Sequence, residues 1–349
     1  MSDTGLLLNI VFDEYFQTNI AAAKLISNDY ARLWEELYRL FQSGGKRLRP
    51  KMTYITYAAY GGQDIDAIAP IAAAQELLHL SLLIHDDVID RDYRRYGVLN
   101  ITGSYKEHYD NLGLDDTTKT HYAQGAAILG GDLLISGAYQ LIASSKISPE
   151  LKEQVNTVLG RAIFEVAGGE LLDTESAFRP KNEIDSLAIA RYKTAGYSFI
   201  GPLLSGALLA GASKEQCDVV RDFATNLGIA YQLQDDILGV YGDENETGKS
   251  SISDIVEGKH TFLVDSFYAL TSQEQVLEFN KYFGNKDASK EQIDIVKQLL
   301  VISGALDLTQ KKLNEYESFA RENLDQMDIS SDSKATFEDL ITKSLKRQK

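Results

Sequence analysis

One stretch of the sequence, LLIHDDVID, sets three aspartates among apolar residues. On a helix, positions i and i+4 lie on one face, so Asp86 and Asp90 are stacked one turn apart and Asp87 flanks them. We name Asp86, Asp87 and Asp90 the first aspartate cluster. Like charges at this spacing destabilise a helix by roughly a few tenths of a kcal/mol, and burying them unpaired costs far more. A cation is therefore expected beside them.

A second stretch, YQLQDDILG, repeats the aspartate pair in similar apolar surroundings. We name Asp235 and Asp236 the second aspartate cluster; its i+4 position is Gly239, so the third carboxylate is missing there. One pair alone would favour a solvated acidic patch, whereas two copies in apolar helices favour metal binding. Mg²⁺ prefers oxygen ligands and is usually shared between one or two carboxylates and substrate phosphates. The two clusters therefore suit Mg²⁺ ions that clamp a diphosphate.

Basic residues that could bind a further anion occur in the stretch GGKRLRP, residues 44–50, which we name the basic loop. It sets Lys46, Arg47 and Arg49 around a helix start, where backbone N–H groups and guanidinium groups favour phosphate oxygens. A plain basic turn is an equally good interpretation of this stretch alone. The other basic candidates are Arg94, Arg95, Lys193, Lys249 and Lys259.

His79 lies two turns before Asp86 on the same side of the predicted helix. A histidine on an apolar helix is more often a satisfied core residue than a ligand, but this position favours a functional role. The stretch GDENETGKS departs from the nucleotide-binding P-loop, because five residues rather than four precede its GKS triplet and no apolar strand leads into it. The glutamate and histidine spacing of zinc proteases is absent from the sequence.

Composition restricts the partners of the protein. The formal net charge is −16 over 349 residues, without a clustered basic face, so nucleic-acid binding is not expected. The single cysteine, Cys217, fits a reducing compartment. The N-terminus lacks the basic region of a signal peptide, and the most apolar stretch, residues 68–84, is interrupted by polar residues. We expect a cytoplasmic protein without stable membrane insertion.

Helical periodicity recurs along nearly the whole chain, and no alternating strand runs occur between hairpin turns. One predicted helix ends at Gly44 and Gly45, and the next begins with Pro50 in its first position. A long central helix follows from Pro70 through the first aspartate cluster, and a buried helix carries the second cluster up to Gly242. The sequence predicts an all-α protein with a single domain over residues 1–349.

Together these stretches resemble the trans-isoprenyl diphosphate synthases, also called polyprenyl synthetases. The resemblance runs in the order of that family from about residue 44 to residue 260, through GGKRLRP, ELLHLSLLIHDDVIDRD, AILGGDLLI, YKTAGYS and YQLQDDILGVYGDENETGKSSISDIVEGK. It implies a helical bundle around a deep central cavity, usually as a homodimer. It also implies Mg²⁺-dependent condensation of isopentenyl diphosphate with an allylic diphosphate.

The resemblance assigns roles by position. It implies that both aspartate clusters bind the metal and that the first cluster and three lysines are catalytic. The metal set is Asp86, Asp87, Asp90, Asp235 and Asp236. The allylic diphosphate set is Lys193, Gln232, Lys249 and Lys259, with Arg95 beside them. The isopentenyl diphosphate set is Lys46, Arg49 and His79.

Two positions depart from the pattern of the family. Gly239 stands where the second aspartate motif usually has its last carboxylate, which implies less direct metal ligation there. When the sequences are aligned on Gly97, the tandem arginine of the family falls on Arg95 and Tyr96, so Tyr96 replaces one phosphate-binding arginine. Arg94 could replace the missing arginine only with a change of register, and this alternative stays open.

Product length depends, in this family, on the side chains one turn before the first aspartate. Here these are Ser81 and Leu82, with Leu78 a further turn away, and none is a bulky aromatic. We expect a product of twenty carbons or longer.

Three rival functions remain. A non-catalytic subunit of a heteromeric synthase would tend to lose its acidic motifs, whereas the first motif is complete here. A terpene cyclase of similar fold would not need the basic loop. A helical scaffold protein would leave the ordered motifs unexplained.

Overall fold

A computed structural model of the protein describes residues 3–179, 183–242 and 253–346. Over these ranges the chain is almost entirely helical, so the all-α prediction is confirmed. The exception is a short antiparallel hairpin of β1 (Arg94–Arg95) and β2 (Val98–Leu99). Two-residue strands are too short to appear in the sequence as an alternating strand run.

Two compact units divide the chain. The first contains the residues up to Thr157 together with Leu208–Ala210, and the second contains the rest. The single-domain prediction over residues 1–349 stays a prediction. The helices that begin in the first unit are α1 (Asp3–Lys24), α2 (Asn28–Gln42), α3 (Leu48–Ala59), α4 (Ile65–Ile89), α5 (Ile101–His108), a 3₁₀ turn (Tyr109–Leu112), α6 (Asp116–Ser144) and α7 (Pro149–Ser176), which continues into the second unit.

The ends of α2 and α3 frame the basic loop. The Ser27 side chain accepts a hydrogen bond from the Tyr30 N–H at the start of α2, as expected of an N-cap serine. Helix α3 begins two residues earlier than predicted, so Pro50 is its third residue rather than its first. The missing N–H of proline is harmless anywhere in that first turn, because those donors have no intrahelical partner.

Helix α4 is the central helix of the first unit and packs against α1, α3, α5 and α6. It begins at Ile65, where Asp64 caps it, so Pro70 lies inside the helix rather than at its start. Helices α4 and α6 are both long and apolar enough to cross a membrane, although no unbroken apolar run of that length was expected. The share of the most apolar 18-residue window that is buried inside the protein is 72% for α4 and 44% for α6.

Close packing of α4 on α6 depends on a glycine. A Cβ added at Gly131 of α6 would lie 2.1 Å from Nε2 of His85 on α4. The His85 ring occupies that space and its Nε2 lies 3.3 Å from the carbonyl oxygen of Ile128. The residue directly before the first aspartate cluster is therefore fixed against the backbone of α6.

The second unit contains the remainder of the chain. Its elements after α7 are α8 (Ser186–Ile189), a π-helix (Ala190–Ile200), α9 (Gly201–Leu209), α10 (Lys214–Tyr241), α11 (Ser253–Glu257), α12 (Phe262–Leu270), α13 (Gln273–Phe279), α14 (Lys290–Ile302), α15 (Ala305–Gln326) and α16 (Ser331–Leu345). Helix α10 ends at Tyr241 with Gly242 as its C-cap, as predicted.

Helix α10 is the centre of the second unit and packs mainly against α15 and the π-helix. The π-helix approaches α10 closely, because a Cβ at Gly228 would lie only 2.5 Å from that of Ala195. Ala195, Leu233 and Leu313 form a small buried core among these three elements. This packing sets the YKTAGYS stretch beside the second aspartate cluster.

Gly131→Ala should destabilise the protein by about 1–3 kcal/mol, because the new methyl group overlaps the His85 ring. Gly125→Ala is the matched control on the same helix, since nothing lies within 4 Å of its added Cβ. It should stabilise the protein by about 0.5–1 kcal/mol through helix propensity. Urea unfolding measures both. Equal effects of the two substitutions would contradict this packing, and His85→Ala should remove most of the cost at Gly131.

Candidate functional site

The first aspartate cluster lies at the C-terminal end of α4. Asp87 is buried, with 2% of its surface exposed, whereas Asp86 and Asp90 are half-buried. Asp90 is the C-cap, and its N–H donates to the Asp86 carbonyl at 2.8 Å. The predicted stacking of Asp86, Asp87 and Asp90 at one end of a helix is therefore present.

Arg95 of β1 holds two of these carboxylates. Its Nε and Nη2 both donate to Oδ1 of Asp87, at 2.8 and 2.5 Å, and Nη2 also lies 3.3 Å from Oδ2 of Asp86. The neighbouring Arg94 is exposed and donates to the Gly97 carbonyl at 3.0 Å. Of the two arginines, Arg95 is therefore the one that the hairpin brings to the cluster.

Burial dominates the electrostatics of Asp87. Burial raises the pKa of its carboxyl to about 6, although the hydrogen bonds and charge of Arg95 lower that pKa. The nearby charge of Asp86 raises the pKa further. A carboxylate in this position favours any added positive charge, such as a divalent ion.

The three cations of the basic loop have different surroundings. Lys46 is exposed and Arg49 is half-buried, so both can reach an anion. Arg47 instead lies 3.2 Å from the buried carboxylate of Glu76, and its guanidinium covers the Phe41 ring at 3.7 Å. Arg47 therefore anchors the loop to α4 and to α2.

His79 lies on α4 among these cations. Burial lowers the pKa of its imidazole well below 6.5, and the charges of Arg49, Arg95 and Arg47 lower it further. The ring is therefore neutral near pH 7 and can donate one hydrogen bond. His79 thus lies in the same cationic surroundings as Arg49.

The second aspartate cluster lies in the last turns of α10. Asp236 is 7% exposed and Asp235 is half-buried. The Thr194 hydroxyl donates to Oε1 of Gln232 at 2.5 Å, and Nε2 of Gln232 donates to Oδ1 of Asp236 at 2.8 Å. Gln232, predicted to bind substrate, is thus the hydrogen-bond link between the π-helix and this cluster.

Acidic neighbours surround Asp236. Burial raises the pKa of its carboxyl well above 3.8, the hydrogen bond from Gln232 lowers it, and the charges of Asp254, Asp235 and Asp173 raise it. Such a concentration of carboxylates is unfavourable in the absence of a cation or a proton. The second cluster therefore extends beyond the two residues visible in the sequence motif.

Asp254 fills the space left by the glycine in the motif. A Cβ added at Gly239 would lie 2.0 Å from Oδ2 of Asp254, which belongs to α11. The carboxylate absent from position 239 of α10 is thus replaced by one from another helix. The departure of Gly239 from the family pattern has a structural explanation.

Lys193 lies on the π-helix and faces acidic residues of α7. Its Nζ lies 2.5 Å from Oδ2 of Asp173 and 3.0 Å from Oε2 of Glu170. A Cβ at Gly169 would lie 2.2 Å from the backbone nitrogen of Lys193, so this glycine permits the close approach. Lys193 is therefore held at the acidic side of the second unit.

Of the two remaining predicted lysines, Lys259 lies within the described residues. Nζ of Lys259 lies 3.0 Å from Oε2 of Glu257, and its backbone N–H donates to the Asp254 carbonyl at 3.0 Å. Lys259 is thereby tied to the segment that carries Asp254. Lys249 lies outside the described residues.

The ligand set fits Mg²⁺ in its chemistry. All five predicted metal ligands offer carboxylate oxygens, the donors that Mg²⁺ prefers, and the acidic surroundings of Asp236 favour a cation or a proton. Among residues 3–179, 183–242 and 253–346, no three acidic, histidine or cysteine side chains are grouped closely enough to hold an ion by themselves.

Sequence reasoning missed four participants. Glu170 and Asp173 stand three positions apart on α7, a spacing that predicts a shared helical face. The signal was therefore present, in the stretch GGELLD. Thr194 lies in the quoted YKTAGYS stretch but carried no assigned role. Asp254 has no local signal, because its place beside Gly239 depends on the fold.

Comparison with known proteins matches the chain to one family. The polyprenyl synthetase family model matches residues 31–300. A geranylgeranyl diphosphate synthase of Sulfolobus acidocaldarius is 35% identical over 333 residues, which cover 92% of this chain and 94% of that protein. A geranylfarnesyl diphosphate synthase of Aeropyrum pernix is 33% identical over 318 residues, with coverage of 89% and 92%.

A solved structure is similar over nearly its full length. It is the geranylgeranyl pyrophosphate synthase of Corynebacterium glutamicum in complex with isoprenyl diphosphate and magnesium. The TM-score is 0.87 at 27% identity, and the match covers 98% of this chain and 99% of that one.

Asp87→Asn should change the pH dependence of stability. Because the pKa of Asp87 is about 6 in the folded protein and near 3.8 ordinarily, the folded state binds this proton more tightly than the unfolded chain. The resulting stabilisation is fully present below about pH 4 and is lost as pH rises through about 6. The free energy of unfolding of the variant, relative to wild type, should therefore rise by about 2 kcal/mol from about pH 4 to about pH 7.

Urea unfolding without divalent ions measures this difference. Asp66→Asn, at the exposed opposite end of α4, is the control for the loss of one carboxylate from this helix. A flat difference for Asp87→Asn would contradict the burial of that carboxylate.

Proposed function

The chain belongs to the polyprenyl synthetase family and is a trans-prenyltransferase, and we propose that with Mg²⁺ it adds isopentenyl diphosphate to an allylic diphosphate to give a product of twenty carbons or longer. One observation carries this proposal: each aspartate motif folds with a buried carboxylate held by a hydrogen-bond donor, from the β1 strand in the first motif and from one turn earlier on α10 in the second. Arg95 holds Asp87, and Gln232 holds Asp236. These hydrogen bonds fix the orientation of carboxylate oxygens that could bind a metal ion.

The metal ligands would come from both clusters. They are Asp86, Asp87 and Asp90 of α4, and Asp235 and Asp236 of α10, with Asp254 as an added carboxylate beside Gly239. When bound, Mg²⁺ acts as a Lewis acid that stabilises the departing pyrophosphate. The charge of Asp87 and of Asp236, which burial disfavours, would be stabilised by the ions.

The allylic diphosphate would be oriented by cations of the protein. Arg95, Lys193 and Lys259 would donate to its oxygens, as would Lys249, and Gln232 would contribute its amide. In the structure Lys193 rests on Asp173 and Glu170, so it must exchange these partners for the substrate. The bond between the first allylic carbon and its oxygen then breaks, and pyrophosphate leaves with the electron pair.

The isopentenyl diphosphate would be bound by Lys46, Arg49 and His79, with neutral His79 donating one hydrogen bond. Its double bond attacks the allylic carbon, a carbon–carbon bond forms, and loss of one proton restores a double bond. The apolar side chains of α4 limit capture of the allylic cation by water. Arg47 serves this step indirectly, because its contact with Glu76 fixes the basic loop.

The product length follows from α4 in this proposal. Ser81 and Leu78 are fully buried, and Leu82 alone of the three floor candidates is half-exposed. A leucine leaves more room than an aromatic side chain would. The lengths of the products named for the two relatives are consistent with this view.

The proposal includes an oligomeric state and a cellular location. We place the protein in the cytoplasm as a homodimer, without stable membrane insertion and without nucleic acid. The exposed face of α6 supports a dimer, because Tyr122, Ile128 and Leu129 are 57%, 47% and 60% exposed. Such apolar side chains on one helix are typical of an interaction surface. A single-chain mass in sedimentation velocity would refute the dimer.

Asp86→Asn should lower the rate of isopentenyl diphosphate consumption by roughly 100-fold or more, because a metal ligand is lost. The Mg²⁺ concentration for half-maximal rate should rise as well. Asp66→Asn, on the same helix but exposed, should leave both values unchanged. A substituted Asp86 with wild-type rate and Mg²⁺ dependence would contradict the metal role of the first cluster.

Leu82→Phe should shorten the products by at least one five-carbon unit, because the ring fills space one turn before Asp86. Leu83→Phe introduces the same bulk about a quarter turn around α4, also at a half-buried position, and should leave product length unchanged. Mass spectrometry of the products measures both. Identical product distributions for the two variants would place the floor elsewhere.

A further inference from the structure

Tyr96 occupies a backbone conformation that disfavours its side chain. It forms, with Gly97, the two-residue turn between β1 and β2, since Arg95 pairs with Val98. Both turn residues have positive φ, 53° at Tyr96 and 76° at Gly97. Turns of this type prefer asparagine followed by glycine, and positive φ is unfavourable for a bulky residue. A contact elsewhere must offset this strain.

That contact is with the basic loop. A Cβ added at Gly44 would lie 2.6 Å from Cγ of the Tyr96 ring and 2.8 Å from Cδ1. The ring therefore lies directly on the backbone where the basic loop begins. Gly44 has no positive φ, so its lack of a side chain serves this contact rather than a special turn.

The hydroxyl group of Tyr96 lies close to charged side chains. Burial raises the pKa of its hydroxyl, Arg95, Arg49 and Arg47 lower it, and Glu76 raises it. Still, 41% of Tyr96 remains exposed. The side chain thus stands at an accessible edge of the same cationic group that surrounds His79.

We propose that Tyr96 is a positioning residue, which presses on Gly44 and holds the basic loop in the conformation that binds isopentenyl diphosphate. This inference rests on the proposed function. The hairpin has two tasks: Arg95 restrains the first aspartate cluster, and the next residue restrains the basic loop. The backbone strain at Tyr96 is maintained because the ring performs the second task.

Tyr96→Asn separates this role from a merely structural one. Asparagine suits the turn, so thermal stability should rise or stay unchanged. Loss of the ring should raise the KM for isopentenyl diphosphate about tenfold, corresponding to about 1.4 kcal/mol, with the KM for geranyl diphosphate within about twofold. Tyr96→Phe keeps the ring and should recover most of the lost affinity. Tyr93→Asn, a nearby partly exposed tyrosine outside the turn, is the control and should change neither KM.

Gly44→Ala tests the contact from the other side, because its methyl group must displace the ring. It should raise the KM for isopentenyl diphosphate in the same way. The double variant Gly44→Ala with Tyr96→Asn should be no worse than either single variant.

An unchanged KM in Tyr96→Asn, equal increases in both KM values, or a parallel loss of thermal stability would overturn the proposal. Each result requires a wild-type protein that turns over. A wild-type protein that consumes no isopentenyl diphosphate would refute the proposed function itself, whereas an active wild type with an unaffected Tyr96→Asn would refute only the role of Tyr96.

Discussion

The hydrogen bonds from Arg95 to Asp87 are the interaction on which the first unit depends. A helix as apolar as α4 can end in three carboxylates only if their charge is offset, because an unpaired buried carboxylate is strongly unfavourable. Arg95 supplies that offset, yet the pKa of Asp87 stays near 6, so the offset is incomplete. The remaining demand for positive charge is what a divalent ion would meet.

In the second unit, the buried carboxylate of Asp236 has a different kind of hydrogen-bond partner. Asp236 has a neutral partner, Gln232, which Thr194 of the π-helix orients in turn. A neutral amide does not offset the charges of the acidic neighbours, so this cluster too favours an added cation or a bound proton. π-helical segments often occur at functional sites, and here the wider helix brings Thr194 and Lys193 to the cluster. A carboxylate from α11 completes it.

Local spacing explains what could be predicted from the sequence. The stacking of Asp86 and Asp90 and the end of α10 at Gly242 follow from helical periodicity and capping, which act within a few residues. The position of Asp254 against Gly239 does not, because it depends on how separate helices pack. The same limit applies to the Tyr96 contact and to the π-helix. The role of Arg47 could not be predicted from the sequence, because nothing in a basic turn shows which of its residues pairs with a buried carboxylate. In the structure that partner is Glu76.

The geometry of both aspartate clusters and of α4 leads to one expectation, a trans-prenyl diphosphate product of twenty carbons or longer. The most direct measurement incubates the purified full chain with Mg²⁺, isopentenyl diphosphate and, separately, dimethylallyl, geranyl and farnesyl diphosphates, and determines product length by mass. We expect extension of at least one of these primers to twenty carbons or longer. Products that stop at fifteen carbons would contradict the length, and no extension of any primer would contradict the catalytic role and favour a partner subunit of a heteromeric synthase.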